Sequence, residues 1–324
     1  SLFTIKALSL LNSKGKMGFV TSSTFLTIST KQAMREALIQ SSLYKIVLNN
    51  ISNFAIKTST CSFFVNKEKQ SDTIQILEEN DKSFIREIMC LHISELSSPY
   101  RFIVSEMNER FKDSYALYHQ YKKETHTAKS LMKFKETKEY QDIMANHNIV
   151  PLGFIAYIAT GVDFKGQNST TIFSTENSKY NIIDNNDEIK ENPSINEIRQ
   201  GLSDNAKYIP AMKGKERVYV RWDKEHLSFL RSIKAPLRNL TLYDGLDSIY
   251  CKTSTYEMQI ISGNMLCINT AGACFIKPFV DGITCKTILS QIHLPEYKEF
   301  LKKNINNSLC LTPNDLKMLP IALS

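Results

Sequence analysis

Helical and strand-like segments alternate over residues 2–68. Apolar side chains recur at helical spacing at Leu2, Ile5 and Leu8, and Gly15 follows as a helix-terminating glycine. Residues 31–40 predict a second helix with one apolar side. Short apolar and β-branched runs predict strands, the first of them buried, at 17–21, 44–48 and 59–65. Such alternation is typical of an α/β sheet with covering helices.

The middle of the chain favours helices. Residues 70–104 are ambiguous apart from a strand-like segment at 73–77. Residues 105–145 are polar with apolar side chains at intervals, which predicts one or two long helices broken somewhere within 125–129. Lysines recur along this segment, and they indicate either a solvated helix face or a surface that follows nucleic-acid phosphates.

The pattern changes near residues 147–151. Beyond this boundary, turn signals separate short β-rich segments at 154–158, 170–173, 217–222, 258–261, 265–268 and 274–276. An acidic polar stretch at 178–193 predicts an exposed loop. Ser194 and Glu197 form a capping-box pattern that opens a short helix, and residues 297–304 predict another.

Length and composition allow one large domain or two of ordinary size. The chain has 324 residues, of which 42% are hydrophobic, enough for a substantial core. No run approaches the roughly 18 apolar residues of a membrane helix. The N-terminus lacks the basic start and cleavage site of a signal peptide, so we expect a cytoplasmic protein without a membrane partner. The net charge of +7 is compatible with a polyanionic partner.

The cysteines and histidines indicate neither disulfides nor a metal site. The seven cysteines are odd in number, form no C-x-x-C pair and lie mostly in apolar runs. Buried free thiols in a reducing compartment are the interpretation that fits this pattern. The six histidines are scattered without metal-ligand spacing, so we expect no metal.

Five segments near the N-terminus follow one another in a fixed order: 10–15 (LLNSKG), 18–26 (GFVTSSTFL), 34–38 (MREAL), 44–48 (YKIVL), and Phe54 with 58–67 (TSTCSFFVNK). The order resembles the second half of the catalytic domain of gamma-type N6-adenine DNA methyltransferases, including type IIG restriction-modification enzymes. That family has a helix ending in L-x-x-G-G, then V-T-P-S-x-F-L, L-R-x-x-L, a strand, and an aromatic residue before T-S-x-x-I-L-x-F-x-K. Ser22 departs from the usual proline, and Lys14 departs from the first glycine.

This resemblance implies a role for Phe54. In the family, an aromatic residue before the last strand packs on the extruded adenine, and stacking on a base contributes roughly 1–3 kcal/mol in other nucleic-acid proteins. A loop residue that packs in the core is the alternative for Phe54. The resemblance also implies that the first half of the sheet lies before Ser1, whose place at the start fits a trimmed chain or a fragment.

Two segments bracket the second half of the chain: 150–162 (VPLGFIAYIATGV) and 311–321 (LTPNDLKMLPI). They resemble the opening P-L-G-D-I-A-x-I-x-x-G-I and closing L-T-x-x-D-L-x-x-I-P-I motifs of target-recognition domains. Such domains occur in type I specificity subunits and in type IIG enzymes. Between them, 211–222 (AMKGKERVYVRW) is similar to a third segment of these domains.

The resemblance implies a surface that binds double-stranded DNA. Arginine and lysine bind phosphates and read guanine in the major groove. The basic residues proposed for this surface are Lys213, Lys215, Arg217, Arg221 and Arg238. Ordinary surface charge is the alternative for each of them, and Trp222 fits a core position better than a base contact.

Several motifs are absent from the sequence. It contains no G-x-G-x-x-G, Walker A, H-E-x-x-H or G-x-S-x-G. It also lacks the Asn/Asp-Pro-Pro-Tyr/Phe tetrapeptide, whose oxygens accept hydrogen bonds from the adenine amino group and whose aromatic ring stacks on the flipped base. We therefore expect no catalytic and no cofactor-binding residues in this chain, and no methylation by it alone.

The two resemblances together imply the C-terminal portion of a site-specific DNA adenine-N6 methyltransferase of a restriction-modification system. The complete enzyme would use S-adenosylmethionine and would include the missing N-terminal half of the catalytic domain as a partner of this chain. The expected fold class is α/β, in three parts. These are a partial Rossmann-like methyltransferase sheet at 1–75, a helical connector at 76–149 and a mixed α+β target-recognition domain at 150–324.

Three alternatives remain open: a non-catalytic DNA specificity subunit, an RNA methyltransferase and an unrelated α/β protein. A specificity subunit has no use for the half-sheet predicted at 15–68. The recognition-domain motifs argue against an RNA methyltransferase.

Overall fold

The computed structural model describes residues 2–27, 31–49, 60–68, 71–79, 85–92, 109–177, 179–203, 205–253, 255–269, 273–301, 305 and 311–323. The chain is a mixed α/β protein with several sheets. It divides into two compact units. Unit 1 is Ser1–Lys112 with Lys298–Leu309, and unit 2 is Asp113–Tyr297 with Cys310–Ser324.

Unit 1 contains a five-stranded mixed sheet in the order β1-β3-β2-β4-β5. Its strands are β1 (Lys16–Ser22), β2 (Leu43–Leu48), β3 (Thr60–Asn66), β4 (Thr73–Glu79) and β5 (Ile85–His92). Its first helices are α1 (Leu2–Leu10), α2 (Thr24–Thr27) and α3 (Gln32–Gln40). Strand β3 runs antiparallel to β1 and β2, which are therefore parallel to each other. Helices α2 and α3 connect β1 to β2, so the three strands form a split βαβ unit.

Strand β1 is less buried than its apolar sequence predicts. Val20 is 49% exposed, and β3 is the only strand paired with β1 in the described part of the chain. Helix α1 next to it buries Thr4 and Leu8 but leaves Leu2 and Phe3 more than four-fifths exposed. The prediction of a buried strand was wrong because β1 lies at the edge of the sheet among the described strands.

The segment predicted as a helical connector, 76–149, begins with strand. Strand β5 and most of β4 lie in it, and they pair antiparallel from Thr73 opposite His92 to Glu79 opposite Ile85. The apolar run in β5 fits either helix or strand, and pairing with β4 selects the strand. Helices follow at α4 (Glu109–Tyr121), α5 (Ala128–Lys135) and α6 (Lys138–Asn146). The predicted break falls between α4 and α5, where Thr127 caps α5, and a second break precedes α6, where Thr137 is the cap.

Unit 2 contains a five-stranded sheet, β14-β10-β11-β8-β9, a four-stranded sheet, β13-β12-β15-β7, and the pair β16-β6. The strands are β6 (Ile149–Pro151), β7 (Ala156–Thr160), β8 (Ile172–Ser174), β9 (Asn181–Ile182), β10 (Tyr208–Lys213), β11 (Glu216–Arg221), β12 (Gly245–Lys252), β13 (Glu257–Gly263), β14 (Leu266–Cys267), β15 (Ala273–Pro278) and β16 (Pro320–Ala322). The remaining helices are α7 (Leu152–Ile155), α8 (Asn168–Thr171), α9 (Ile195–Gln200), α10 (Lys224–Ser232), α11 (Cys285–Ile292), α12 (Pro295–Phe300) and α13 (Pro313–Leu316). Short 3₁₀ turns lie at Asn186–Glu188 and Leu240–Leu242.

The two ends of unit 2's β-rich part pair with each other. Strands β6 and β16 are antiparallel, with Pro151 opposite Pro320 and Val150 opposite Ile321. The pairing continues beyond the strands, since the Leu152 amide donates to the Leu319 carbonyl over 2.7 Å. We call this β6–β16 pairing the clasp.

Two glycines of the opening motif lie where another segment passes too close for a side chain. A Cβ added at Gly153 would be 2.9 Å from the Lys317 Cβ. A Cβ at Gly161 would be 2.0 Å from the Cys267 carbonyl oxygen, beside the bridge that joins Val162 to Ile268. At both positions, any residue other than glycine would therefore require the neighbouring segment to move.

The core of unit 2 includes Trp222, as predicted. Its side chain is fully buried, and the indole Nε1 donates to the Ile198 carbonyl over 2.9 Å. Ile198 lies in α9, where Ser194 and Glu197 form the predicted capping box. The loop predicted at 178–193 is largely exposed where the structure describes it, and it contains β9, one 3₁₀ turn and a bridge from Ile189 to Tyr208.

Five of the cysteines are buried free thiols, which confirms the prediction for these five residues. They are Cys61, Cys251, Cys267, Cys274 and Cys285. Burial raises the pKa of Cys61 to about 12 and that of Cys285 to about 11. Thiolates are the reactive form of cysteine, so burial disfavours both thiols as nucleophiles at neutral pH.

Candidate nucleic-acid interface

The hairpin of β10 and β11 positions three of the predicted DNA-contacting residues and the neighbouring turn positions a fourth. Val218 and Val220 are buried, so alternation along β11 directs Arg217, Tyr219 and Arg221 to the opposite face. Tyr208 lies opposite Arg221 across the strand pair. We call this the hairpin face.

Aromatic rings accompany the arginines on the hairpin face. Phe173 in β8 lies opposite Tyr219, and its ring centroid is 4.8 Å from that of Tyr208. The Arg217 guanidinium lies 5.7 Å from the Tyr219 ring centroid. Planar cations beside aromatic rings are the groups that hold phosphates and stack on bases.

Carboxylates pair with both arginines of this face. Arg217 forms an ion pair with Glu191, whose other oxygen accepts a 2.9 Å hydrogen bond from the Tyr219 hydroxyl. The Arg221 Nε donates to Asp223 over 2.6 Å, and this hydrogen bond raises the pKa of Arg221. The acidic loop at 178–193 therefore supplies a partner to the hairpin face.

The two lysines at the hairpin turn also have neighbours. The Lys213 ammonium lies 4.8 Å from the Tyr180 ring centroid, and burial together with nearby Lys179 lowers the pKa of Lys213. Lys215 lies 2.5 Å from Glu257 in a largely exposed ion pair.

Arg238 lies elsewhere. It is exposed on the loop after α10 and lines a cavity of about 460 Å³ that none of the other four residues lines. Lys317, from the closing motif, lines the same cavity. The structure thus brings four of the predicted residues to one hairpin and places the fifth at a separate cavity.

Phe54, the residue predicted to stack on the target base, lies outside the described residues. Within the described ranges, no group of three His, Cys, Asp or Glu side chains is arranged to hold a metal. No helix among these residues is both long enough and apolar enough to cross a membrane.

Three residues that lie beside the predicted DNA-contacting residues were not selected from the sequence: Tyr219, Phe173 and Lys317. Tyr219 was within reach, since the valines on either side alternate with Arg217, Tyr219 and Arg221. Phe173 and Lys317 depend on which strands and loops pair, and nothing in their local sequence marks them.

Neither a protein-family model nor a curated protein matches the chain. Among solved structures, the type IIL restriction-modification enzyme MmeI in complex with DNA is similar over 85% of this chain and 35% of its own, with 10% identity and a TM-score of 0.40. The type IIG restriction endonuclease BpuSI is similar over 99% of this chain and 42% of its own, with 11% identity and a TM-score of 0.31.

Both of these structural neighbours are restriction-modification enzymes, and the chain spans less than half the length of either.

Proposed function

We propose that the chain is the DNA-recognition and base-pocket portion of a site-specific DNA adenine-N6 methyltransferase that uses S-adenosylmethionine, in a restriction-modification system. Unit 2 reads the DNA sequence, and unit 1 supplies one wall of the adenine pocket. The observation that carries this proposal is the clasp, which brings the opening and closing recognition-domain motifs together.

The two motifs are far apart in the sequence yet meet in the fold. Val150 and Pro151 of the opening motif pair with Ile321 and Pro320 of the closing motif. Gly153 of the opening motif packs against Lys317 of the closing motif without room for a Cβ. Motifs that bracket a single domain are expected to meet in this way.

The hairpin face supports a contact with DNA. Arginine forms bidentate hydrogen bonds with phosphate and with guanine, and aromatic rings stack on bases. The Arg217–Glu191 pair is about half exposed on both sides. Exposed ion pairs stabilise a fold by only about 0–1 kcal/mol, so DNA phosphates can replace Glu191 at little cost.

The uncovered surface of unit 1 supports the methyltransferase part of the proposal. On this proposal, the other half of a catalytic domain pairs with the outer edge of β1 and covers Leu2, Phe3 and Leu10 of α1, which are exposed. A non-catalytic specificity subunit has no need of this sheet.

Selection from a random duplex library tests the recognition half. We expect the chain to enrich one motif that contains adenine, with affinity that falls steeply as salt rises. Arg217→Gln weakens binding to that motif, whereas Lys286→Gln on α11 removes an equal charge away from the hairpin and leaves the enriched motif unchanged. Absence of any enriched motif contradicts the proposed function.

Base capture is tested in the chain joined to a catalytic half that contains the glycine-rich loop and the Asn-Pro-Pro-Tyr tetrapeptide. We expect Phe54→Ala to weaken binding of DNA with an unpaired adenine relative to DNA with an abasic site, because stacking requires the base. Equal effects on both substrates exclude Phe54 as the stacking residue.

A further inference from the structure

The cavity lined by Arg238 is positively charged. It lies in unit 2 among the turn before α5, strand β7, the loop after α10 and the start of α13, with a volume of about 460 Å³. Arg238 and Lys317 line it, and no aspartate or glutamate does. Its other polar lining consists of threonine, asparagine, histidine and tyrosine side chains.

Lys317 contributes a buried charge to this cavity. The residue is only 6% exposed, and its Nζ donates to the carbonyls of Thr125 over 2.8 Å and His126 over 3.3 Å. No carboxylate within the described ranges forms an ion pair with it. Buried charges in proteins are generally paired or neutralised, so an ammonium held by two carbonyls leaves a positive field without a counter-charge.

Arg238 extends this field to the surface. Among the described residues, no hydrogen bond or ion pair engages its side chain, in contrast to Arg217 and Arg221. The next residue, Asn239, has φ 61° and donates from Nδ2 to the Thr160 carbonyl over 3.2 Å. This hydrogen bond fixes the loop to β7, and it holds the Arg238 backbone at the rim of the cavity.

We propose that this cavity binds a phosphate group of the DNA backbone, with Arg238 as the direct contact and Lys317 as the fixed charge behind it. The inference rests on the proposed function, since it names a second contact between unit 2 and the same duplex. A guanidinium without a protein partner offers a planar pair of donors to a phosphate. A contact of this kind positions the duplex and reads no base.

The experiment measures binding of the chain to its enriched duplex by fluorescence anisotropy over a salt series. Arg238→Gln is compared with Lys286→Gln, which removes the same charge from an exposed helix position that does not line the cavity. Each phosphate neutralised contributes about 0.9 to the slope of log K against log salt, so Arg238→Gln lowers the slope by about 0.9 and weakens binding about fivefold near 0.15 M salt. Lys286→Gln leaves the slope unchanged.

Methylphosphonate substitution, which removes the charge of one phosphate at a time, then locates the contact. We expect one position where the neutral linkage weakens DNA binding by wild type but does not weaken binding by Arg238→Gln any further. This non-additivity is the result that a double-mutant cycle gives for two groups in contact. Inorganic phosphate distinguishes a free anion from DNA. One outcome is that inorganic phosphate raises the thermal midpoint of wild type but not of Arg238→Gln, while the two proteins have equal salt slopes for DNA binding. The cavity then binds free phosphate, and the proposal is overturned.

The remaining outcomes separate the two levels of inference. Wild-type binding to DNA with equal slopes for wild type and Arg238→Gln overturns the phosphate cavity and leaves the proposed function intact. No binding by wild type overturns both. Tighter binding to an RNA duplex than to DNA overturns the assignment to DNA.

Discussion

Gly153 and Gly161 are positions where the identity of one residue is dictated by a neighbour distant in sequence. At Gly161 the obstacle to a side chain is a backbone carbonyl, which cannot turn aside. At Gly153 the nearest atom belongs to the Lys317 side chain, although the Lys317 backbone is also close. The two glycines therefore differ in how far the surroundings can adjust.

We expect Gly161→Ala to destabilise unit 2 more than Gly153→Ala. Overpacking typically costs about 1–3 kcal/mol and occasionally more, and we place Gly153→Ala within that range and Gly161→Ala at or above its top. Urea unfolding followed by Trp222 fluorescence measures both, because the chain's single tryptophan lies in this core. The reverse order would show that the backbone at Cys267 moves more easily than Lys317.

Lys317 gives a pH dependence of stability. Burial lowers the pKa of this lysine from 10.5 to about 8 in the folded protein. Between these values the unfolded chain binds more protons, so the contribution of Lys317 to stability rises with pH through this window. Below about pH 8 the ammonium is charged in both states, and its burial carries the full cost.

The measurement compares wild type with Lys317→Met, so that all other titrations cancel. We expect the unfolding free energy of wild type relative to the variant to rise by about 2 kcal/mol from pH 8 to pH 10. A difference that stays constant over this range would mean that the two carbonyls compensate the ammonium for its burial.

Helix α9 illustrates an element that local sequence determines. Ser194 accepts from the Glu197 amide over 3.2 Å, and Glu197 accepts from the Ser194 amide over 2.7 Å. Lys190 also pairs with Glu197 over 2.8 Å, and this contact lowers the pKa of the Glu197 carboxyl. The motif can be recognised in the sequence because both partners lie within one turn.

We expect Ser194→Ala to cost about 1 kcal/mol of unfolding free energy and Ser194→Gly only a few tenths, because glycine is tolerated at the cap position. Thermal or urea unfolding distinguishes the two. Equal losses in the two variants would show that the cap geometry contributes nothing beyond the side-chain hydrogen bond.

The acidic loop before α9 is an element that bears on the proposed DNA contact. It pairs Glu188 with Lys207 over 2.7 Å and Glu191 with Arg217. On the proposed function, carboxylates on the hairpin face compete with DNA phosphates for the same cations. The loop therefore weakens the proposed DNA contact.

Glu191→Gln should tighten DNA binding up to about fivefold, since an exposed ion pair contributes about 0–1 kcal/mol that binding no longer has to overcome. The unfolding free energy should change by less than about 1 kcal/mol for the same reason. Glu176→Gln, at an exposed acid between β8 and β9, removes an equal charge and serves as the control. Equal effects of the two variants would reduce the role of Glu191 to net charge.

Sequence patterns located most of the described elements. They did not predict the features that depend on contacts with segments distant in sequence. The strands β1 to β4 and the break before α5 were predicted from local patterns, and Trp222 was assigned to the core as the better fit for its side chain. The exposure of β1 was not predicted, because an apolar run does not reveal whether a second neighbour covers it. The carboxylate partners of Arg217 and Arg221 and the burial of Lys317 also depend on contacts that no local pattern records.

Each unit contains buried apolar side chains of its own. In unit 1, Phe63 is fully buried and its ring centroid lies 5.7 Å from that of Phe19 and 6.1 Å from that of Phe25. In unit 2, Leu230 belongs to the apolar cluster that contains Trp222. Each unit therefore has the means to unfold as a cooperative body.

We expect Phe63→Ala to destabilise unit 1 by about 3–5 kcal/mol while the midpoint of Trp222 fluorescence stays unchanged. Leu230→Ala, the matched control in the other core, lowers that midpoint at a cost of about 2–5 kcal/mol. Far-ultraviolet circular dichroism follows the whole chain in both experiments. A shift of the Trp222 midpoint in Phe63→Ala would show that the two units unfold together.

The clasp also bears on how a new target sequence could arise. Because Ile149 pairs with Ala322, the two ends of the segment between them are adjacent in the fold. A segment whose ends adjoin can be exchanged as a block without stretching the flanking chain. On the proposed function, recombination within one contiguous stretch of the gene is then enough to redirect such an enzyme to different DNA.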